Sequence, residues 1–286
     1  MKIITHRGLD PSKGNYFIES SLEAFTDQLS RGYGLEFDLQ ITKDNKVIIL
    51  HDSTLKHISE GKDERTIRDI DLDELLAMEF SGNHLISFDK ILDLVQEKQS
   101  LEALSAIHLK YTLQNKNDLD TILSYLKNTD TGKFIIFDVK IDTAKYLKEH
   151  NSKLALAPSV SLPYDIKRYN TIAGGTLLSV EETLENKNLF SAVWLDEWDL
   201  TDENNKLKKL YTAEIFKIFH DSELKIGLVT PELHNTSPNL LGGEKHPDAK
   251  TFESLTIRLK EIIALNPDMV CTDHPDTVKY LITEKI

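Results

Sequence analysis

Eight short apolar runs, at 2–6, 35–39, 106–110, 134–139, 154–157, 192–195, 226–229 and 269–271, recur along the chain. Helical periodicity fills much of the sequence between them, at 21–31, 118–127, 143–149, 213–221 and 252–265. Each run is too short for a helix, so it reads as a buried strand. A strand followed by a crossover helix needs a parallel neighbour, and eight such units close on themselves. The rhythm therefore predicts an α/β fold, a TIM-type (β/α)8 barrel. The 286 residues suit one such domain over 1–286, and a hydrophobic content of 40% supplies its core.

Two excursions interrupt the rhythm. The apolar run 47–50 follows the second strand too closely for a crossover, so it reads as the returning arm of a hairpin. With Asp44 and Asn45 as a two-residue loop, Thr42 pairs with Val47, Gln40 with Ile49 and Asp38 with His51. Residues 53–104 read as a small helical insertion, with helices over 72–79 and 88–99, expected to cap the site. The second excursion, 231–250, contains His234, Pro238, Gly242, Gly243, His246 and Pro247. Following a strand, it is expected at the functional end of the barrel as a specificity loop or lid. Its two histidines read as surface-loop residues.

The chemistry-bearing residues cluster at the ends of these strands. His6-Arg7-Gly8 closes the first, and His51-Asp52 closes the hairpin arm. Side chains alternate along a strand, so Glu36 and Asp38 share one face while Leu35, Phe37 and Leu39 take the other. Two imidazoles can move protons, a guanidinium can hold an anionic phosphate, and two carboxylates can hold a divalent cation. The set describes a phosphodiester site. Without a cation Glu36 and Asp38 would repel the anionic substrate, so a metal is expected there.

A net charge of −13 argues against an electrostatic grip on nucleic acid or anionic membrane, which points to a small-molecule partner. The single cysteine, Cys271, permits no intramolecular disulfide. No apolar stretch approaches the ~20 residues that cross a bilayer, and the first strand begins without a signal-like segment. The expected location is cytoplasmic, with no membrane insertion.

These residues resemble the glycerophosphodiester phosphodiesterase family. That family opens with His-Arg-Gly and Pro-Glu-Asn-Thr, continues with Glu-x-Asp-Val, a Thr-Lys-Asp turn and His-Asp, and closes with Thr-Asp-x-Pro. Here the segments read His6-Arg7-Gly8, Ile18-Glu19-Ser20-Ser21, Glu36-Phe37-Asp38-Leu39, Thr42-Lys43-Asp44, His51-Asp52 and Thr272-Asp273-His274-Pro275. The likeness is strong over 1–52, recognisable at 86–110 and 266–276, and thin between.

The resemblance implies acid and base roles for His6 and His51, and phosphate contacts for Arg7 and Lys110. It implies metal ligation by Glu36 and Asp38, and a place for Glu19 at the rim. Where the family has Glu-x-Lys, this chain has His108-Leu109-Lys110. His108 takes the third ligand's place and can coordinate as a neutral imidazole. One divalent ion is expected, magnesium or calcium first, with manganese or zinc left open by the imidazole. Asp52 reads as orienting its neighbours, and Asp273 as closing the last strand rather than as catalytic. Trp194, Asp196, Glu197 and Trp198 read as packing or as lining the barrel mouth. The implied activity is metal-dependent hydrolysis of a glycerophosphodiester to sn-glycerol 3-phosphate and an alcohol. The alternatives are a phosphodiesterase for a nucleotide-linked or lysophospholipid-like diester, and a non-catalytic phosphate-ligand binder on the same barrel.

Overall fold

The computed structural model describes residues 1–14, 16–198, 201–202, 204, 206–233 and 246–284. Its strands are β1 (Lys2–His6), β2 (Gly34–Ile41), β3 (Ser105–His108), β4 (Phe134–Phe137), β5 (Leu156–Ala157 and Ser159–Val160), β6 (Ala192–Leu195), β7 (Lys225–Val229) and β8 (Met269–Thr272). All neighbours pair in parallel, from β1 against β2 round to β7 against β8, and β8 returns to β1. The ring is closed, as the eight-run rhythm requires. β5 is divided at Pro158, which has no N–H for the ladder. Its carbonyl still accepts from Trp194 N at 2.9 Å, so β5 and β6 stay joined across the break.

Alternation sorts the side chains into two cores. Leu35, Phe37, Leu39, Ile107 and Leu109 face outward and join the layer between barrel and helices. Ile4, Ala106, Ile135, Ala192 and Met269 face inward and fill the barrel with Phe137, Trp194 and Cys271. The helix Leu22–Ser30 seals β1 and β2, its first turn capped by Ser21 Oγ accepting from Ala24 N at 3.1 Å.

Three local expectations are corrected. The hairpin pairs Ile41 with Val47, Gln40 with Ile48 and Leu39 with Ile49, one residue away from the expected register. Asn45 takes φ +57° and its N–H bonds to Thr42 O, which makes a three-residue loop with a left-handed third position instead of a two-residue one. Leu50 N, not His51, then faces Asp38 O at 3.1 Å.

The two helices expected in 53–104 are present, as Leu72–Leu76 and Phe88–Lys98, but the segment does not cap the cavity. The segment also holds the strand pair Glu79–Phe80 with Asn83–His84, and Ile86–Ser87 paired to the hairpin arm Val47–Ile49. Leu55, Ile67, Ile70, Leu75 and Leu85 bury their own small core against Ile48 and Leu50. The helix Phe88–Lys98 packs into the main core as the crossover between β2 and β3. None of these residues lines the central cavity. The helices Pro163–Tyr169, Val180–Glu185 and Pro275–Thr283, and the pairing of Leu177–Leu178 with β5, are not foreshadowed by the sequence pattern.

Most of the expected lid at 231–250, including His234, Pro238, Gly242 and Gly243, lies outside the described residues. His246 is described and is buried, its Nδ1 accepting from Asp248 N at 3.2 Å, which corrects its surface-loop reading. Among the described residues no helix is long and apolar enough to cross a membrane.

Candidate active site

Parallel strands end together, so their last residues meet at one rim. His6 and His108 are the last residues of β1 and β3, and register places Glu36 beside His6 and Asp38 beside His108 on β2, which runs on past them into the hairpin. With Arg7, His51 and Lys110 they line a cavity of about 270 Å³.

The triplet at the end of β1 has a backbone reason. Arg7 and Gly8 take φ +52° and +73°, left-handed values that turn the chain off the barrel at once. A Cβ on Gly8 would stand 3.0 Å from Ala24 Cβ, so only glycine lets Leu22–Ser30 approach this closely. Arg7 N then donates to Glu36 O at 3.1 Å and Glu36 Oε2 at 3.2 Å, tying the turn to β2. The Arg7 guanidinium lies 3.4 Å from Asp38 Oδ2 and 3.3 Å from Glu19 Oε2. Glu19 does not line the cavity; it stands behind Arg7.

Each histidine is held by a carboxylate. His6 Nδ1 is 2.9 Å from Asp273 Oδ1, and His51 Nδ1 is 2.7 Å from Asp52 Oδ1. Nε2 of His51 is buried without a hydrogen-bond partner. Burial first, then the cationic Arg7 and Lys110, push the His51 imidazole down to about 4 against the pull of Asp38 and Asp52. It is a neutral ring at neutral pH. Asp273, expected only to close the last strand, also holds His6. Glu232 Oε1 in turn accepts from Asp273 N at 3.1 Å and from the hydroxyls of Thr230 and Thr272 at 2.6 Å each.

The acidic pair is buried and crowded. Burial and the neighbouring Asp38 push the Glu36 carboxyl up. Burial also opposes ionisation of Asp38, but Lys110, His51 and His108 outweigh it and hold that carboxyl well below its usual range. Lys110 Nζ lies 3.3 Å from Asp38 Oδ1 and donates to the backbone carbonyl of His51, joining β3 to the end of the hairpin.

His108 stands between two carboxylates, Nδ1 2.7 Å from Asp38 Oδ1 and Nε2 3.5 Å from Asp138 Oδ2. Burial would lower its pKa, yet Asp138 and Asp38 together raise it to about 9. Asp138 escaped sequence reading. It holds φ +65° just past β4, and such strain at a strand end is a signal that residue type alone does not carry.

One atom each of Glu36, Asp38 and His108 lies within 4.8 Å of the others, as ligands of a single ion do. Asp38 Oδ2 is buried and accepts no hydrogen bond, so it has capacity for a cation. The donor set fits a divalent ion, provided His108 gives up a proton. Phe137 lies over the His108 ring, stacked at 4.7 Å and 14°, and fixes its plane. Trp194, Asp196 and Trp198 also line the cavity, whereas Glu197 turns away to Arg258 at 2.5 Å.

The class of the protein is thus that of the TIM-type α/β barrels, with its polar cluster at the C-terminal rim of the strands. Residues 6–277 match the glycerophosphoryl diester phosphodiesterase family, and the chain belongs to that family. A glycerophosphodiester phosphodiesterase from Caldanaerobacter subterraneus subsp. tengcongensis is 28% identical over 108 residues, 35% of this chain and 42% of the relative. That match spans less than half of the relative's length. Solved structures share the fold over the whole chain. A glycerophosphoryl diester phosphodiesterase from Parabacteroides distasonis is 16% identical with a TM-score of 0.66, covering 100% of this chain and 87% of that one. An Oleispira antarctica phosphodiesterase, in complex with the product sn-glycerol-3-phosphate, is 16% identical with a TM-score of 0.65, covering 99% of this chain and 97% of that one.

Proposed function

We propose that this protein hydrolyses a glycerophosphodiester to sn-glycerol 3-phosphate and an alcohol, with His6 and His51 exchanging protons with the reacting groups. Family membership supports the reaction class. The observation that carries the residue roles is the paired arrangement of His6 with Asp273 and His51 with Asp52, around a cavity shared with Arg7 and Lys110. With Nδ1 of each ring engaged, Nε2 of each is left for substrate.

Glu36, Asp38 and His108 would hold one divalent cation. A cation there would supply positive charge to the non-bridging phosphate oxygens, where negative charge is carried in the transition state. Arg7 and Lys110 bind the phosphate from the same side, and Glu19 restrains Arg7. The neutral His51 takes a proton from the attacking water, or from a neighbouring substrate hydroxyl, as its oxygen bonds to phosphorus. His6 delivers a proton to the departing alkoxide as the P–O bond breaks.

The assay is glycerol 3-phosphate release from a panel of diesters, with His6→Ala and His51→Ala compared with the parent. An aryl leaving group needs no proton to depart, so the loss in His6→Ala shrinks with a nitrophenyl ester and the loss in His51→Ala does not. Equal losses with both esters refute the division of roles. Absence of turnover with every glycerol-containing diester refutes the reading as a whole.

A further inference from the structure

The cavity has two chemically distinct ends. Beyond the polar cluster of β1 to β3 its wall passes to β4 to β7 and the segment before β6, where Phe137, Ile172, Leu177, Trp194, Trp198 and Leu233 line it. Resting on the phosphodiesterase reading, we propose that one arm of the diester is apolar, so the preferred substrate is amphiphilic, with an alkyl, acyl or aryl group on that arm.

Three observations carry this. The apolar wall is continuous with the site of His6, Arg7 and Lys110, so a group seated there is joined to the phosphate. Of its polar neighbours two are engaged, whereas the Trp194 Nε1–H is buried without a hydrogen-bond partner among the described residues, and Ser159 and Asp196 also line the cavity. The Thr176 hydroxyl donates to Ala173 O at 3.1 Å, and Asp138 faces His108 at 3.5 Å. The rim also continues outward as apolar surface, with Ile172 60% and Tyr111 46% exposed while both line the cavity.

The aromatic residues raise an obvious rival, a quaternary ammonium arm held in a cage of ring faces. The stacking argues against it. Phe137 is sandwiched between His108 at 4.7 Å and Trp194 at 4.2 Å, so both of its faces are covered. Trp194 is further pressed on the backbone at Gly227, where a Cβ would fall 2.7 Å from its ring. Trp198 is set edge-to-face against Tyr169 at 4.5 Å and 90°. These rings make a packed apolar wall rather than open faces for a cation.

The test uses the full chain with magnesium or calcium and a series of sn-glycero-3-phospho-n-alkyl esters from methyl to octyl, with glycerophosphocholine alongside. The proposal expects kcat/KM to climb by roughly fourfold per methylene while the chain is being buried, the ratio for one CH₂ removed from water. It also expects Ile172→Asp, at an exposed position that the fold tolerates, to flatten the climb for the longer esters. A flat profile, or a preference for the choline ester, overturns the apolar arm and leaves the phosphodiesterase reading standing. Failure to hydrolyse any ester overturns that reading and this inference with it.

Discussion

Two halves of one barrel share a cavity and differ in almost everything else. From β1 to β3 the inward side chains at the rim are His6, Glu36, Asp38 and His108; across from them Trp194 and Val229, on β6 and β7, are apolar. The first half tolerates a buried acidic pair whose members repel, and left-handed backbone at Arg7. The second half is packed like any protein interior. The difference teaches which half answers for chemistry and which for stability and choice of substrate. Substitutions of the first half's polar side chains should cost rate without cost to the fold, substitutions in the packed wall of the second should cost stability, and those at its exposed rim should change the choice of substrate.

The largest effect expected is on rate. His6→Ala or His51→Ala should lower kcat by ~10²–10⁴-fold, the usual share of general acid–base catalysis, with an unfolding midpoint equal to or above the parent's. A collapse of stability in either variant would erase the contrast between the halves. Asp273→Asn, which leaves His6 present but badly held, should show a smaller loss confined to kcat.

Next comes packing in the apolar half. Gly227→Ala would drive a Cβ to 2.7 Å from the Trp194 ring, and overpacking of this kind destabilises by about 1–3 kcal/mol. Denaturant unfolding measures it, and an unchanged midpoint would show that the wall is loose enough to yield.

The cation question is read by pH. His108, raised to about 9, binds its proton more tightly folded than unfolded. Its contribution to the cation-free fold is therefore fully present below the ordinary histidine value and is lost as pH rises through about 9. His51, lowered to about 4, runs the other way: its contribution is present above the ordinary value and is lost as pH falls through about 4. A cation that needs neutral His108 should bind about tenfold more tightly for each unit that pH rises toward about 9, releasing a proton. Titration calorimetry in buffers of different ionisation heat measures both. His108→Glu should tighten calcium or magnesium binding, and an unaltered metal profile would remove His108 from the ligand set. The smallest effect belongs to the surface. His84→Ala, breaking the exposed 2.8 Å pair with Glu23, should shift stability by less than about 0.5 kcal/mol.

The same contrast explains what the sequence could disclose. The charged half was legible because its residues are rare types on short, consecutive elements. Alternation in Glu36-Phe37-Asp38 and in His108-Leu109-Lys110 is enough to put them on one face. The eight strands were legible from their apolar runs, even where Pro158 divides β5. The hairpin register was not, because it turned on whether Asn45 would take a left-handed φ, a choice between loop lengths that Lys43-Asp44-Asn45-Lys46 allows either way. The apolar end was opaque for a different reason. Trp194 and Trp198 read as packing or as lining the barrel mouth, but Ile172, Leu177 and Leu233 are ordinary core types outside the eight runs, and only tertiary closure brings them to the cavity. Asp138 and Asp273 were underrated because a carboxylate's partner, across 30 residues for His108 or 267 for His6, cannot be read from its own neighbours.

The most direct test is a crystal structure with manganese and sn-glycerol 3-phosphate, the ion located by its anomalous signal. The account predicts one ion coordinated by Glu36, Asp38 and His108, with the phosphate between Arg7 and Lys110 and within reach of both His6 and His51. An ion bound elsewhere, or a phosphate seated away from the two imidazoles, would contradict it.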